Sequence, residues 1–335
     1  MKTLSGRDIT FKDVKSFSSK YTSYITFVVL FLFLAVLTRG GTLQWSSIKN
    51  LIVAESVRVF AALGVGMIII TKGIDLSIGA VVCLSASVAA SFSQSAGYQS
   101  AMYPGKEFAL IIPIVTGILA GTLFGLLNGW LIAYGKLPPF IATLGTKSIA
   151  TGIQLLYTHA AVVGSLKREY KQISQGNLFG TIPYLGIYIL IIAVIVWVIL
   201  RHTKFGTSLY AIGGNAQAAR VSGIAVEKHL IFVYIIAGCL YGVAGVLQSA
   251  RVGLANSLTA QNMELDAIAA VTVGGVSQSG GVGTLGGMMI GVFIMGLINY
   301  GMTYLAIDSY WQQIVKGLII VGAVYMDMKK YARRG

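Results

Sequence analysis

Ionisable and amide side chains are scarce in the apolar stretches of this chain, and the few that occur there are the ones able to do chemistry. Asp75, Glu264, Asp266, Lys147 and Lys316 stand within or at the ends of such stretches. In lipid, a group of that kind carries a proton or ion, or pairs with a partner. Asp75 and Ser77 open an apolar run after a break at Gly73. A carboxylate there either caps a helix N-terminus, where the dipole favours it, or meets a substrate directly. Asn128 and Asn299 are amides in apolar runs. They either line a pathway or hydrogen-bond between helices, at about 0.6 kcal/mol each. No nucleophile has a base beside it. His159, His202 and His229 are scattered and Cys83 and Cys239 isolated, so no metal or redox spacing exists. No GxxxxGKS or GxxxxGKT run is present, so the chain has no P-loop with which to hold ATP. No catalytic residue, metal or cofactor of its own is expected.

The elements that carry these residues follow from composition. Of 335 residues, 56% are hydrophobic and 11% charged, and the mean hydropathy is +0.78. A soluble domain carries about 25% charged residues, so the chain is expected to be an all-α polytopic membrane protein. Its net charge of +14 suits basic loops against anionic headgroups and does not call for nucleic acid. Apolar runs fall near 22–38, 51–71, 74–93, 108–134, 139–158, 184–200, 229–249, 264–277, 284–304 and 311–327. A span needs about 20 such residues, which predicts about ten transmembrane helices. The domain division is a cytoplasmic tail at 1–21 with no cleavable signal, a transmembrane domain at 22–327, and a cytoplasmic tail at 328–335. With both termini inside, the inner segments hold 15 of the 25 Lys and Arg and the outer ones seven, the bias expected of inner loops. Trp45 and Trp311 then mark outer boundaries and Trp130 and Trp197 inner ones. Position 170 should report the outer side and position 216 the inner.

Two patterns bear on packing. Gly117, Gly121, Gly125 and Gly129 recur every fourth residue, and Gly283, Gly287 and Gly291 do the same later. Small residues at that spacing let helix backbones approach closely in lipid. Gly125-Leu-Leu-Asn128 also echoes Gly296-Leu-Ile-Asn299, which points to a five-plus-five inverted repeat.

Thr203 to Lys228 is the longest weakly hydrophobic segment in the second half, loaded by Arg201, Lys204, Arg220 and Lys228. It reads as a basic inner loop, or as one that holds a short helix from Asn215 as N-cap through the helix-forming Ala216, Ala218 and Ala219. Gly223 lets the chain turn out of that helix.

The run GGNAQAARVSGI, with Ala218-Ala219 ahead of Gly223-Ile224, resembles the coupling loop of bacterial ATP-binding-cassette (ABC) importer permeases, in the form found in ribose- and galactose-type sugar permeases. Gln217 stands where the wider motif has Glu. TKGIDLSIGA, NGWLIAYGKLPPFIATLGT and ELDAIAAVTVGGVSQSGGVG resemble marks of the same family, from about residue 55 to 317. The closing SYWQQIVKGLIIVGAVYMDMKKYARR is most similar to the galactose/methyl-galactoside branch. The resemblance implies a multi-pass permease of the bacterial inner membrane that works as a homodimer. Cytoplasmic ATPase subunits, which hold ATP and Mg, would drive it, and an extracytoplasmic sugar-binding protein would supply it. Coupling to the ATPase would then rest on Asn215, Ala218, Ala219, Arg220, Gly223 and Ile224, and the substrate pathway or gate on Asp75, Ser77, Asn128 and Asn299. The competing class is an ion-coupled secondary sugar transporter using the titratable residues above. A channel would need a filter sequence that does not stand out.

Overall fold

The computed structural model describes residues 21–332, with side chains for 21–329. Of the predicted tails, 1–20 and 333–335 lie outside the described residues, and 328–332 continue the last helix. Every apolar run forms a helix: α1 (Thr22–Leu37), α2 (Trp45–Ile70), α3 (Ile78–Phe92), α4 (Ile111–Ala133) and α5 (Pro139–Thr158). α6 (Arg168–Gln175) and a small hairpin of β1 (Asn177–Leu178) and β2 (Ile182–Pro183) fill the next loop. Then come α7 (Tyr184–His202), the short α8 (Lys204–Gly214) and α9 (Ala216–Val221), α10 (Val226–Val252), α11 (Met263–Val273), α12 (Leu285–Tyr304) and α13 (Ser309–Ala332).

Among the described residues five helices, α2, α4, α7, α10 and α12, are long and apolar enough to cross a membrane. α3 and α11 have 15 and 11 residues. At 1.5 Å per residue they reach about 22 and 16 Å, short of a hydrocarbon core of about 30 Å. Both adjoin non-helical backbone, at 71–77 and 274–284. Irregular backbone at membrane depth survives only where protein shields it: 71–77 packs against α4 and α10, and 274–284 against α2, α8, α12 and α13.

α2 is the central element, buried along most of its length. α10 lies across it and against α3 and α4. The α4–α10 crossing explains one glycine stripe. A Cβ at Gly121 would sit 2.6 Å from the Gly242 nitrogen, and one at Gly129 would sit 2.9 Å from Ile231 Cα. The backbones touch, with Gly238 and Gly242 as the facing row. The second stripe is shorter than expected. Gly283 precedes α12, whose N-cap is Thr284, while Gly287 and Gly291 press against Gly274 and Ala270 of the α11 region. Thus α4 and α12 each pack on their own neighbour and not on each other.

The predicted outer loop at 159–182 is not a bare loop. Tyr170 is fully buried and its hydroxyl meets Ser249 Oγ at 2.7 Å, while Ser174 donates to the Leu247 carbonyl at 2.9 Å. α6 is thereby pinned on the end of α10. Position 170 therefore cannot serve as a surface reporter, whereas its neighbours Arg168 and Glu169 are exposed. The four Trp are about half exposed or more, near helix ends, as interfacial anchors are.

Candidate functional site

The segment 203–228 folds as two helices whose ends are closed locally. Thr203 caps α8, its hydroxyl accepting from the Gly206 amide at 3.1 Å. Asn215 caps α9, its Oδ1 accepting from the Gln217 and Ala218 amides, both at 2.9 Å. At the other end the Gly223 amide donates to the Arg220 carbonyl and the Ile224 amide to the Ala219 carbonyl, each at 3.0 Å. Gly223 has φ +85°, so this is a Schellman ending, and Ile224 packs back on the helix as that motif requires. The spacing Ala219, Gly223, Ile224 is thus the geometry of a six-residue helix that terminates itself.

The two alanines do different things. Ala219 is 5% exposed and packs with Ile212 and Val226 of its own chain. Ala218 and Gln217 face outward, and Val221 is 87% exposed. Arg220 pairs with Glu227 at 2.6 Å, and Lys136 meets the same carboxylate at 3.1 Å. These pairs hold α9 to the start of α10 and to the turn between α4 and α5.

α8 ends at a junction made of backbone. A Cβ on Gly213 would run into the Ile70 carbonyl at the end of α2, and that carbonyl accepts from the Gly281 amide at 2.8 Å. Gly280 lies against Lys72 and the Gly213 carbonyl. Three motif blocks that are far apart in sequence therefore meet at one point. Asp327 of α13 secures the 274–284 segment, its Oδ2 accepting from the Gln278 amide at 2.9 Å and Ser277 Oγ at 3.1 Å.

Asp75, Ser77 and Asn128 form one closed polar chain. Ser77 Oγ donates to Asp75 Oδ1 at 2.6 Å, Asn128 Nδ2 to Ser77 Oγ at 2.9 Å, and Thr146 Oγ1 to Asn128 Oδ1 at 2.6 Å. All four are at most 1% exposed. The N-cap of α3 is Ser77, with no side-chain cap bond. Asp75 instead makes a turn, accepting from the Ser77 amide at 2.8 Å. Asn299 does not join this chain, and its Oδ1 is buried without a partner.

A second polar region surrounds the start of α11. Lys147 Nζ meets Glu264 Oε1 at 2.6 Å; Arg58 pairs with Glu55 at 2.5 Å and with Asp266 at 3.5 Å; Lys316 meets Asp266 at 3.5 Å. Two cavities flank the 258–262 segment. One, of about 240 Å³, lies between α3, α5 and α11 beside Lys147 and Glu264. The other, of about 210 Å³, lies beside Arg58, Arg251 and Asp266.

Residues 47–324 match the family model described as branched-chain amino acid transport system / permease component. The chain belongs to this permease family. It is 41% identical over 331 residues to the galactose/methyl galactoside import permease protein MglC of Escherichia coli, covering 96% of this chain and 98% of the relative. It is 38% identical to the ribose import permease protein RbsC of Bacillus subtilis, over 85% and 86% of the two chains. It is 35% identical to the D-allose transport system permease protein AlsC of E. coli, over 93% of each. No solved structure matches. The family resemblance read from the motif blocks is therefore shown, and the permease is a multi-pass protein of the bacterial inner membrane. Sequence reasoning singled out the two alanines, Asp75, Ser77 and Asn128 as positions. It missed Thr146 and Asp327, whose partners lie far away in sequence, and Glu55 with Arg58, an i,i+3 pair that also reaches Asp266.

Proposed function

We propose that the permease is the membrane subunit of an ABC importer for a galactose-type monosaccharide or small glycoside, with galactose and methyl galactoside as first candidates. The similarity to import permeases for galactose, ribose and allose supports the sugar class. The pathway forms with a second copy of the chain, by alternating access. ATP and Mg are held by separate cytoplasmic ATPase subunits, and an extracytoplasmic binding protein delivers the sugar. Ten membrane-embedded helices with both termini inside fit the charge bias, and α4 and α12 carry the matched Gly-x-x-Asn pairs of a five-plus-five inverted repeat.

The observation that carries the reading is the self-capped α9 on α8, whose end abuts α2 and the 274–284 segment. ATPase closure against Gln217, Ala218 and Val221 displaces α8, and the Gly213 junction passes that displacement to the end of α2 and to the backbone between α11 and α12. The ion-coupled alternative finds no such support. Its candidates Lys147, Glu264, Asp266 and Lys316 stand in ion pairs, and Asp75 is tied up in its turn.

The test uses the outward residues of α9, since Ala219 belongs to the chain's own packing. Ala218→Glu and Val221→Asp should leave insertion intact, abolish co-purification of the ATPase and stop sugar uptake. Wild-type assembly and uptake in both would reduce the segment to a basic loop. Cysteines at 169 and 216 check the sidedness, with impermeant thiol reagents expected to reach the first from outside and the second from inside only.

A further inference from the structure

We infer that the 240 Å³ cavity between α3, α5 and α11 is a sugar subsite within the permease itself, with Lys147, Glu264, Thr151 and Asn262 among its walls. This rests on the sugar-importer reading above and adds to it where the sugar is handled inside the membrane subunit.

The chemistry of the walls selects the ligand. Lys147 and Glu264 cancel each other's charge, so a free ion gains nothing by entering. The remaining polar walls are amides and hydroxyls, including Gln154, Asn262 and Thr259. A neutral polyol fits them because each of its hydroxyls both donates and accepts. Glu264 is 3% exposed and its Oε1 is held by Lys147, yet its Oε2 has no hydrogen-bond partner. Oε2 has no accessible surface and is packed against Gly79 and the Ala260 carbonyl, so the groups the cavity offers a ligand are the Lys147 ammonium and the amides and hydroxyls of its walls. The TKGIDLSIGA block seats that carboxylate: a Cβ at Gly79 would lie 2.5 Å from Glu264 Oε2 and 2.6 Å from the Ala260 carbonyl, so only glycine there admits the Lys147–Glu264 pair as one wall of the cavity. By contrast, Asp75, Ser77 and Asn128 are hydrogen-bonded to one another and to Thr146 and are not among the walls of this cavity.

The experiment uses the complete transporter with ATPase and binding protein in vesicles. Thr151 is exposed, lines the cavity, and its hydroxyl bonds only the Lys147 carbonyl one turn back. Ser148, also exposed on α5, is not among the cavity's walls and serves as the control. Thr151→Trp should lower galactose uptake about ten-fold at normal ATPase co-purification, with Ser148→Trp within about two-fold of wild type. With Cys83 and Cys239 replaced by Ala, the Thr151→Cys variant should label with a thiol reagent several-fold more slowly when galactose is being transported. The Ser148→Cys variant should be unaffected by galactose. Glu264→Gln should change the ratio of galactose to deoxygalactose uptake, which a purely structural ion pair would leave alone. Wild-type uptake in Thr151→Trp, or labelling at Thr151→Cys that galactose does not slow, overturns the subsite. Absence of galactose uptake by the wild-type transporter would instead overturn the functional reading beneath it.

Discussion

Thr146 and Lys147 are neighbours on α5, about 100° apart around the helix, and they enter two polar regions of opposite character. Thr146 closes the chain through Asn128 and Ser77 to Asp75, in which each side chain has a partner and none is exposed. Lys147 enters the charged region at α11, which borders cavities and leaves oxygens of Glu264 and Glu55 unpartnered. Both regions are rare polar matter in an apolar protein. What separates a structural cluster from a working one is not residue type but whether hydrogen-bonding capacity is left over.

The largest effect should come from breaking the open region on one side. Lys147→Ala leaves the Glu264 carboxylate buried and unpaired and should cost about 3–5 kcal/mol, read as a drop in the thermal midpoint of the purified permease. Lys147→Met combined with Glu264→Leu should recover that stability but not uptake. Recovery of both would make this region as purely structural as the other.

The closed chain should respond differently. Asp75→Ala orphans the Ser77 amide and hydroxyl and should cost about 1–3 kcal/mol, whereas Asp75→Asn keeps an acceptor oxygen and should retain most uptake. Equal loss of uptake by both variants at normal expression would place Asp75 with the working residues. Smaller again is the loss of a cap. Asn215→Ala should cost about 0.5–2 kcal/mol, concentrated in α9 and seen as faster amide exchange there. The smallest effect belongs to an exposed pair: Lys136→Ala should change stability by about 1 kcal/mol or less, and a larger change would show that surface charge matters more here than burial.

Hydrophobicity is a local signal, and it located every long helix of the permease, although α2 begins at Trp45, well before the predicted start at 51, and α13 runs on to Ala332, past the predicted end at 327. It missed α6 because that helix is polar and lies outside the apolar runs, held by Tyr170 and Ser174. The cap at Asn215 and the turn at Gly223 were legible because capping chemistry is also local. That Ala219 faces inward and Ala218 outward was not, since identical residues differ only in helix phase relative to Ile212 and Val226. Nor could spacing reveal Lys147 with Glu264, 117 positions apart, or the break after α11 that shortens it to half a span. Asp75 was legible as a residue with a local role, but the two-residue offset that makes it a turn and not a cap emerges only from the backbone.

The junction of Gly213, the Ile70 carbonyl and Gly281 has a mechanical meaning. Contacts between side chains are compliant, because rotamers change and absorb part of any push. This contact is peptide against peptide, with no rotamers to yield, so it behaves as a hard stop and not a spring. A shift of α8 is delivered to α2 and to the 274–284 segment with little slack. The same stiffness removes any gradation: a methyl at Gly213 has no conformation in which to hide, so even Gly213→Ala should uncouple the two sides outright.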